Sequence, residues 1–418
     1  MATNNNLTDF LTAVADAIRT KKEYDSTKLI NPQDFPSEIT SIGADDDNIT
    51  ELYIDQNYTD PSYMAWNEKG TTAIRWIINN IHRVLAKKTA DGEMTYIRLW
   101  DNDSIYYSAD LEDFNPTKEA DLTGAQGDVF VKLPTFYYKS EETATDIWKI
   151  TFAINKPDDT YKTWDGNDLI GAYKGYVENN KLYSRSGVTP TVSTSYNSFK
   201  TYASNRGTGF SMVKWRHHCM MAFLYYSGFT HMNSNLMIGY GPDNYPATTG
   251  STNARGKWCS YGSYYGGGNS SAVSLYGLEN WCTNIREIMD NVTLNPNSAN
   301  YVFRITEDDG TTRDVQGGSC SKYPSKMVIG ENLDLVPLNS NGTYYSGYCD
   351  VAYTNTSIIS VPLAQGYYGS YANSGVASFE TISSTSTTSS STGTRLCFRG
   401  TLKEVTNIAT YEAITAID

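Results

Sequence analysis

Histidine is scarce in this chain of 418 residues, with only four, and between Lys326 and Arg395 there is no lysine, arginine or histidine at all. Nowhere do Lys and Arg concentrate enough to neutralise a phosphate backbone, and 33 basic against 46 acidic residues leave a net charge of −13, so nucleic acid is not an expected partner. No apolar run approaches the roughly 18 residues that suggest a membrane span, and Met1 to Phe10 lacks the basic-then-apolar pattern of a secretory signal. The expectation is a chain made in the cytoplasm and not inserted into a membrane. The six cysteines (Cys219, Cys259, Cys282, Cys320, Cys349 and Cys397) contain no C-x-x-C pair, which argues against zinc and against a dense disulfide framework and leaves buried free thiols. No cofactor and no metal are expected.

What the chain has in excess is tyrosine, 33 residues, beside abundant Gly, Ser, Thr and Asn. That mixture suits a β-rich scaffold carrying a contact surface. The length exceeds what one hydrophobic core usually organises, so two or three domains are expected.

Leu7, Phe10, Leu11, Val14 and Ile18 form one apolar helical stripe, which predicts a helix over 7–20 capped by Asn6 or Thr8. Its stripe needs a cover, either its own chain, the same helix in sister subunits or a larger particle. Gly43 and the acidic run Asp45, Asp46 and Asp47 read as a solvated linker, giving a first unit at 1–47. A second, α+β unit is expected over 48–165. There Ile74, Ile77, Ile78, Ile81 and Leu85 predict a helix over 71–88, with His82 at the edge of its buried face, and strand-like stretches follow at 94–100, 129–138 and 148–154. The third unit, 166–418, opens with a core helix expected over 211–226, carrying Met212, Trp215, Cys219, Ala222, Phe223 and Tyr226 on one side. The Ser/Thr run 383–392 reads as a strand-turn-strand with a polar tip, in preference to a flexible linker. The expected fold class is α+β.

Three stretches carry a family resemblance. Phe223 to Gly241 (F-L-Y-Y-S-G-F-T-H-M-N-S-N-L-M-I-G-Y-G) resembles the helix-to-loop passage of phage and bacterial C-type-lectin-like proteins related to formylglycine-generating enzymes. Gly277 to Asp290 (G-L-E-N-W-C-T-N-I-R-E-I-M-D) is similar to the family's Gly-x-x-Asn-x-x-x-Asn-Val-Trp-Glu-Trp-x-Asp stretch, with Arg286 and Ile288 where tryptophans are usual. Gly366 to Gly400 resembles the closing segment, where retroelement-diversified members vary. Gly127 to Lys139 and the opening Leu7 to Arg19 are similar to segments of structural proteins of phages and prophages of gut bacteria. The resemblance implies a C-terminal C-type-lectin-like domain on a virion tail-tip or fibre protein, commonly a homotrimer, attached to other tail proteins through its N-terminal segment. The implied partner is a bacterial cell-surface protein or glycan.

The basic-free stretch holds the expected contact residues: Tyr344, Tyr345, Tyr348, Tyr367, Tyr368, Ser370, Tyr371 and Asn373. A tyrosine ring offers rigid area with a polar tip at low entropic cost, and Ser, Gly and Asn adapt their hydrogen bonds to a partner. The alternative is that these tyrosines pack on strands or on a neighbouring subunit. An enzyme is not expected. His217 and His218 sit on an otherwise apolar helix, Cys349 and Cys397 do not form the close cysteine pair of the related oxidases, and no motif singles out two of the 46 acids for glycan hydrolysis. The Glu-Pro-Asn and Trp-Asn-Asp calcium motifs of animal lectins are missing, so calcium-independent binding is expected. The rival readings are a decoration protein without receptor affinity and a glycan-depolymerising tail enzyme.

Overall fold

The computed structural model describes residues 48–108, 118–242, 245–260, 271–296, 301–354, 361–366 and 374–417, together with Ala15. Apart from Ala15, the helix expected over 7–20 lies outside them, as do the acidic linker and the expected contact positions from Tyr367 to Asn373. The described residues form a mixed α+β structure dominated by strands, and none of their helices is long and apolar enough to cross a membrane.

Three sheets organise the chain. The first runs in the order Ala65–Lys69, Ile49–Asp55, Ile147–Ala153, Phe136–Ala144 and Lys162–Trp164, with every pair antiparallel. Its strand Ile49–Asp55 alternates cleanly, burying Thr50, Leu52 and Ile54 and leaving the intervening side chains half-exposed, the period-2 signature of a sheet covered on one face. The second sheet has seven strands: Phe210–Met212, Leu396–Arg399, Asp168–Gly171, Asp128–Lys132, His82–Ala90, Glu93–Arg98 and Thr401–Glu404. The third is built on the long strand Arg286–Pro296 and includes Tyr301–Thr306, Thr312–Gly317, Val361–Gln365, Phe379–Thr381 and Ala352–Tyr353.

Two expectations fail here. The helix expected over 71–88 stops at Thr72–Asn79, and the remainder is the strand His82–Ala90. Asn80 turns the chain, its side-chain amide donating to the Trp76 carbonyl at 2.8 Å. Arg83 to Lys87 are then buried on both faces between two neighbouring strands, and such an apolar run cannot be told from a helix by periodicity. His82 consequently lies on a strand, 2.9 Å from Asp101. The boundary expected at 165/166 also fails: the second sheet takes strands from both sides of it, Asp168–Gly171 pairing with Asp128–Lys132 on one side and Leu396–Arg399 on the other.

The core helix is displaced from 211–226 to Trp215–Phe229, because Phe210–Met212 is taken as an edge strand beside Leu396–Arg399. It is buried nearly all round rather than on one side, His217 and His218 included, which is how a helix wrapped by sheets differs from one lying on a surface. All six cysteines are free, Cys259 half-buried and the rest buried.

An ionic cluster joins the family-like stretches. Arg395 and Glu287, both fully buried, pair at 2.8 Å, and the buried Lys174 reaches the same carboxylate oxygen at 3.2 Å. Arg395 also donates to the carbonyls of Gly171 at 2.7 Å and Glu279 at 2.8 Å, Gln365 donates to the second Glu287 oxygen, and the Arg395 guanidinium lies over the Trp281 ring. Every charge is thereby paired and hydrogen-bonded, the condition under which buried ions persist. Burial still lowers the Lys174 pKa to about 8. Of the two positions where the chain departs from the family stretch, Arg286 pairs with Glu380 and donates to Ser391 Oγ at 2.8 Å, while Ile288 is an ordinary core residue.

Candidate functional site

An open depression of about 390 Å3 is lined by Thr59, Asp60, Pro61, Ser62, His231, Asn233, Leu236, Tyr345 and Ser346. Three segments remote in sequence meet there: the turn after strand Ile49–Asp55, the chain leaving helix Trp215–Phe229, and a tight loop over 343–347.

Each segment is fixed by main-chain bonds. The Gly347 N–H donates to the Thr59 carbonyl at 2.9 Å and the Met232 N–H to the Pro61 carbonyl at 3.0 Å. Asn233 caps the helix Ser234–Ile238 by accepting from the Leu236 N–H, and its amide donates to the Tyr344 carbonyl at 3.1 Å. Thr343 and Ser346 exchange two backbone bonds of 3.1 Å each, so Tyr344 and Tyr345 occupy the tip of a two-residue turn. Gly347 follows with φ of +70°, and a Cβ there would meet the Pro324 carbonyl oxygen at 2.8 Å; only glycine takes this path without strain.

Exposed aromatic rings belong to the same segments. Tyr345, which lines the depression, is 63% exposed, and Tyr63 at 66% and Tyr58 at 52% flank the lining residues Thr59 to Ser62 in sequence. Tyr345 stands edge-on to Tyr344 with ring centroids 4.8 Å apart, and the half-buried Tyr344 hydroxyl meets that of Tyr240. One aromatic supports the other, so the exposed ring projects from a fixed base.

Asp60 puts a negative charge in the lining. Asp60 accepts from the Ser62 N–H at 2.9 Å and the Ser62 hydroxyl at 2.6 Å, bonds that hold its carboxyl below the usual range and keep it charged. Burial lowers the His231 pKa despite the nearby Asp60, and its Nδ1 accepts from the Asn233 N–H at 3.0 Å. At neutral pH this imidazole is uncharged with Nε2 as its donor. Among the described residues no Lys or Arg lines the depression.

Of the eight contact residues expected from sequence, the structure brings Tyr344 and Tyr345 to this site. Tyr348 is a correction: it is fully buried, edge-on to Tyr226 at 6.2 Å, and its hydroxyl has no hydrogen-bond partner. It serves the core and offers no surface. Tyr367, Tyr368, Ser370, Tyr371 and Asn373 lie outside the described residues. Tyr58, Asp60, Tyr63, His231 and Asn233 went unrecognised. The signal was there in the turn Tyr58-Thr59-Asp60-Pro61-Ser62-Tyr63, two tyrosines around an Asp-Pro pair, a turn sequence with little access to a core.

A second cavity, of about 110 Å3, is lined by Asp165, Asp168, Arg216, Glu307, Arg313 and Arg399 with Trp164 and Tyr138. Behind it Asp168 lies 3.7 Å from His217 Nε2, and His217 Nδ1 lies 3.6 Å from Cys397 Sγ. These are the residue types of a nucleophilic triad, but neither His217 nor Cys397 lines the cavity and both are buried. Burial pushes the thiol pKa far up and lowers that of the imidazole, so the sulfur stays protonated and unreactive. Burial also raises the Asp168 pKa, but the neighbouring His217, Arg216 and Arg399 outweigh it and hold the carboxyl well below the usual range. Among the described residues no group of three His, Cys, Asp or Glu is placed to hold a metal ion.

No family model matches this chain, and no curated protein matches it.

Proposed function

We propose that this chain is a phage or prophage tail receptor-binding protein, with a C-type-lectin-like C-terminal region that reversibly holds a ligand on the bacterial surface, and that it is not an enzyme. The observation that carries the reading is the exposed Tyr345 in a depression flanked in sequence by the exposed Tyr58 and Tyr63, whose three segments are locked by main-chain bonds. Rigid aromatic area beside adaptable Ser, Thr and Asn groups binds without losing much side-chain entropy. The buried ion cluster supports the lectin-like assignment, since it ties the Gly277–Asp290 and Gly366–Gly400 stretches together at the positions where the family resemblance lies. A single shallow site of this size binds weakly. Three copies on a homotrimeric tip would raise the effective concentration for the second and third contacts.

The test is adsorption of labelled protein to a panel of gut bacterial strains beside a Tyr58→Ala/Tyr63→Ala/Tyr345→Ala variant of matched folding and oligomeric state. Selective adsorption lost in the variant is the expected result. No adsorption to any strain would favour the decoration reading, and reducing sugar released from surface polysaccharide would favour a depolymerase.

A further inference from the structure

A third cavity, of about 300 Å3, is lined by Lys87, Lys88, Arg185 and Arg206, by the 124–127 turn with Asp128 and Tyr183, and by Glu412 and the segment 414–416. Four cations around one cavity stand out in a chain of net charge −13, and their counter-charges are unequally placed. Asp128, paired with Arg206 at 2.9 Å, is buried with it. The partner of Arg185 is Glu178 at 3.0 Å, 46% exposed, and that of Lys88 is Asp91 at 3.3 Å, 64% exposed. Glu412 spends its carboxylate on Lys118, with contacts of 3.2 Å. Among the described residues Lys87 donates to neutral groups, the carbonyls of Tyr411, Glu412 and Ile414 at 3.0 to 3.3 Å. Exposed carboxylates are screened by water and salt whereas the cations, largely buried, are not. The interior of the cavity is therefore left positive.

The cations are also held in place. The guanidiniums of Arg185 and Arg206 lie over the Tyr183 ring at 3.7 and 4.2 Å from its centroid, and Lys88 Nζ donates to the Arg206 carbonyl at 2.9 Å. Gly124, with φ of +115°, lets Arg185 lie flat on the turn: a Cβ there would stand 2.4 Å from Arg185 Nε. That Nε is buried and has no hydrogen-bond partner among the described residues. Burial holds the Lys87 pKa below the ordinary lysine range, as expected of an ammonium with too little negative charge nearby.

We propose that this cavity is a binding site for a tetrahedral oxyanion, a phosphate or phosphate ester, with Arg185 and Lys88 as its principal contacts. Guanidinium forks match such oxygens in pairs, and lysine adds point charge. At roughly 30 Å3 per water in the liquid, the space also admits a sugar-sized group attached to the anion. The site is independent of the tyrosine depression and shares none of its lining residues.

The experiment is titration calorimetry of the full chain with inorganic phosphate and, separately, with a hexose phosphate, against sodium chloride at equal ionic strength. Arg185→Gln and Lys88→Gln are compared with the unchanged protein after their thermal midpoints in chloride are checked. Loss of one charge-assisted contact is expected to weaken phosphate binding by about tenfold or more, with Arg185→Lys recovering part of it. Binding of both probes would mark a site for phosphorylated saccharide, and binding of inorganic phosphate alone a site for the free ion. The proposal is overturned if phosphate binds no better than chloride, or if both folded Gln variants bind it as the parent does.

Discussion

Tyr345 and Tyr348 are three residues apart on one loop and have opposite fates: the first is 63% exposed at the tip of a turn, the second fully buried against Tyr226. The same residue type that presents a surface at one position closes a core at the next. Between them Gly347 reverses the backbone with a positive φ and pins it to Thr59, and that single turn decides which ring faces water. A run of tyrosines is thus evidence of aromatic area but not of where the area goes. The comparison extends to charge, since Arg395 and Glu287 are locked in the core while Asp60 is left open in the site's lining.

Breaking the buried side should give the largest effects. Arg395→Met leaves Glu287 beside Lys174 alone, and removal of one partner of a buried pair is expected to cost about 3–5 kcal/mol in urea unfolding; a loss under about 1 kcal/mol would mean the cluster is open to water. Tyr348→Ala should cost about 3 kcal/mol by emptying a packed aromatic site, and any loss of adsorption should vanish when the variant is assayed under conditions where it is folded. In the acid range Asp168 should matter most. Its folded pKa lies below the unfolded value of about 3.9, so its contribution is complete above roughly pH 5 and is lost as pH falls through that range. Asp168→Asn should therefore be less stable than the parent at pH 7, with the gap narrowing toward pH 2.

The sign reverses at Asp350. Burial raises its pKa well above the usual value, and one carboxylate oxygen has no partner. The folded state keeps a proton that the unfolded chain releases above about pH 4, so the penalty grows with pH. Asp350→Asn should raise the thermal midpoint at pH 7 and lose that advantage at pH 3; destabilisation at pH 7 would show that the carboxylate is charged and compensated. Tyr345→Ala should have the smallest effect on stability, within about 0.5 kcal/mol, yet weaken adsorption.

Much of the sheet structure was legible because alternation survives in single strands. The stretches expected at 94–100, 129–138 and 148–154 overlap Glu93–Arg98, Asp128–Lys132, the start of Phe136–Ala144, and Ile147–Ala153. What failed was long-range. The run from His82 to Leu85 fits a helix until it is seen on a strand between two others, and no local signal tells that Leu396–Arg399 returns to pair with Asp168–Gly171 across the expected boundary. The site suffered in the same way. The turn of Thr59 to Ser62 and the loop of Tyr345 meet through bonds linking Thr59 to Gly347 and Asn233 to Tyr344, contacts that composition within one stretch cannot reveal.

The most direct test of the division between surface and core tyrosines is chemical footprinting, by nitration or iodination read by mass spectrometry, of the protein free and adsorbed to a strain that binds it. Tyr58, Tyr63 and Tyr345 should react readily in the free protein and become protected on cells, with Tyr348 unreactive in both. Unchanged reactivity of all three exposed tyrosines on adsorbed protein would contradict the site.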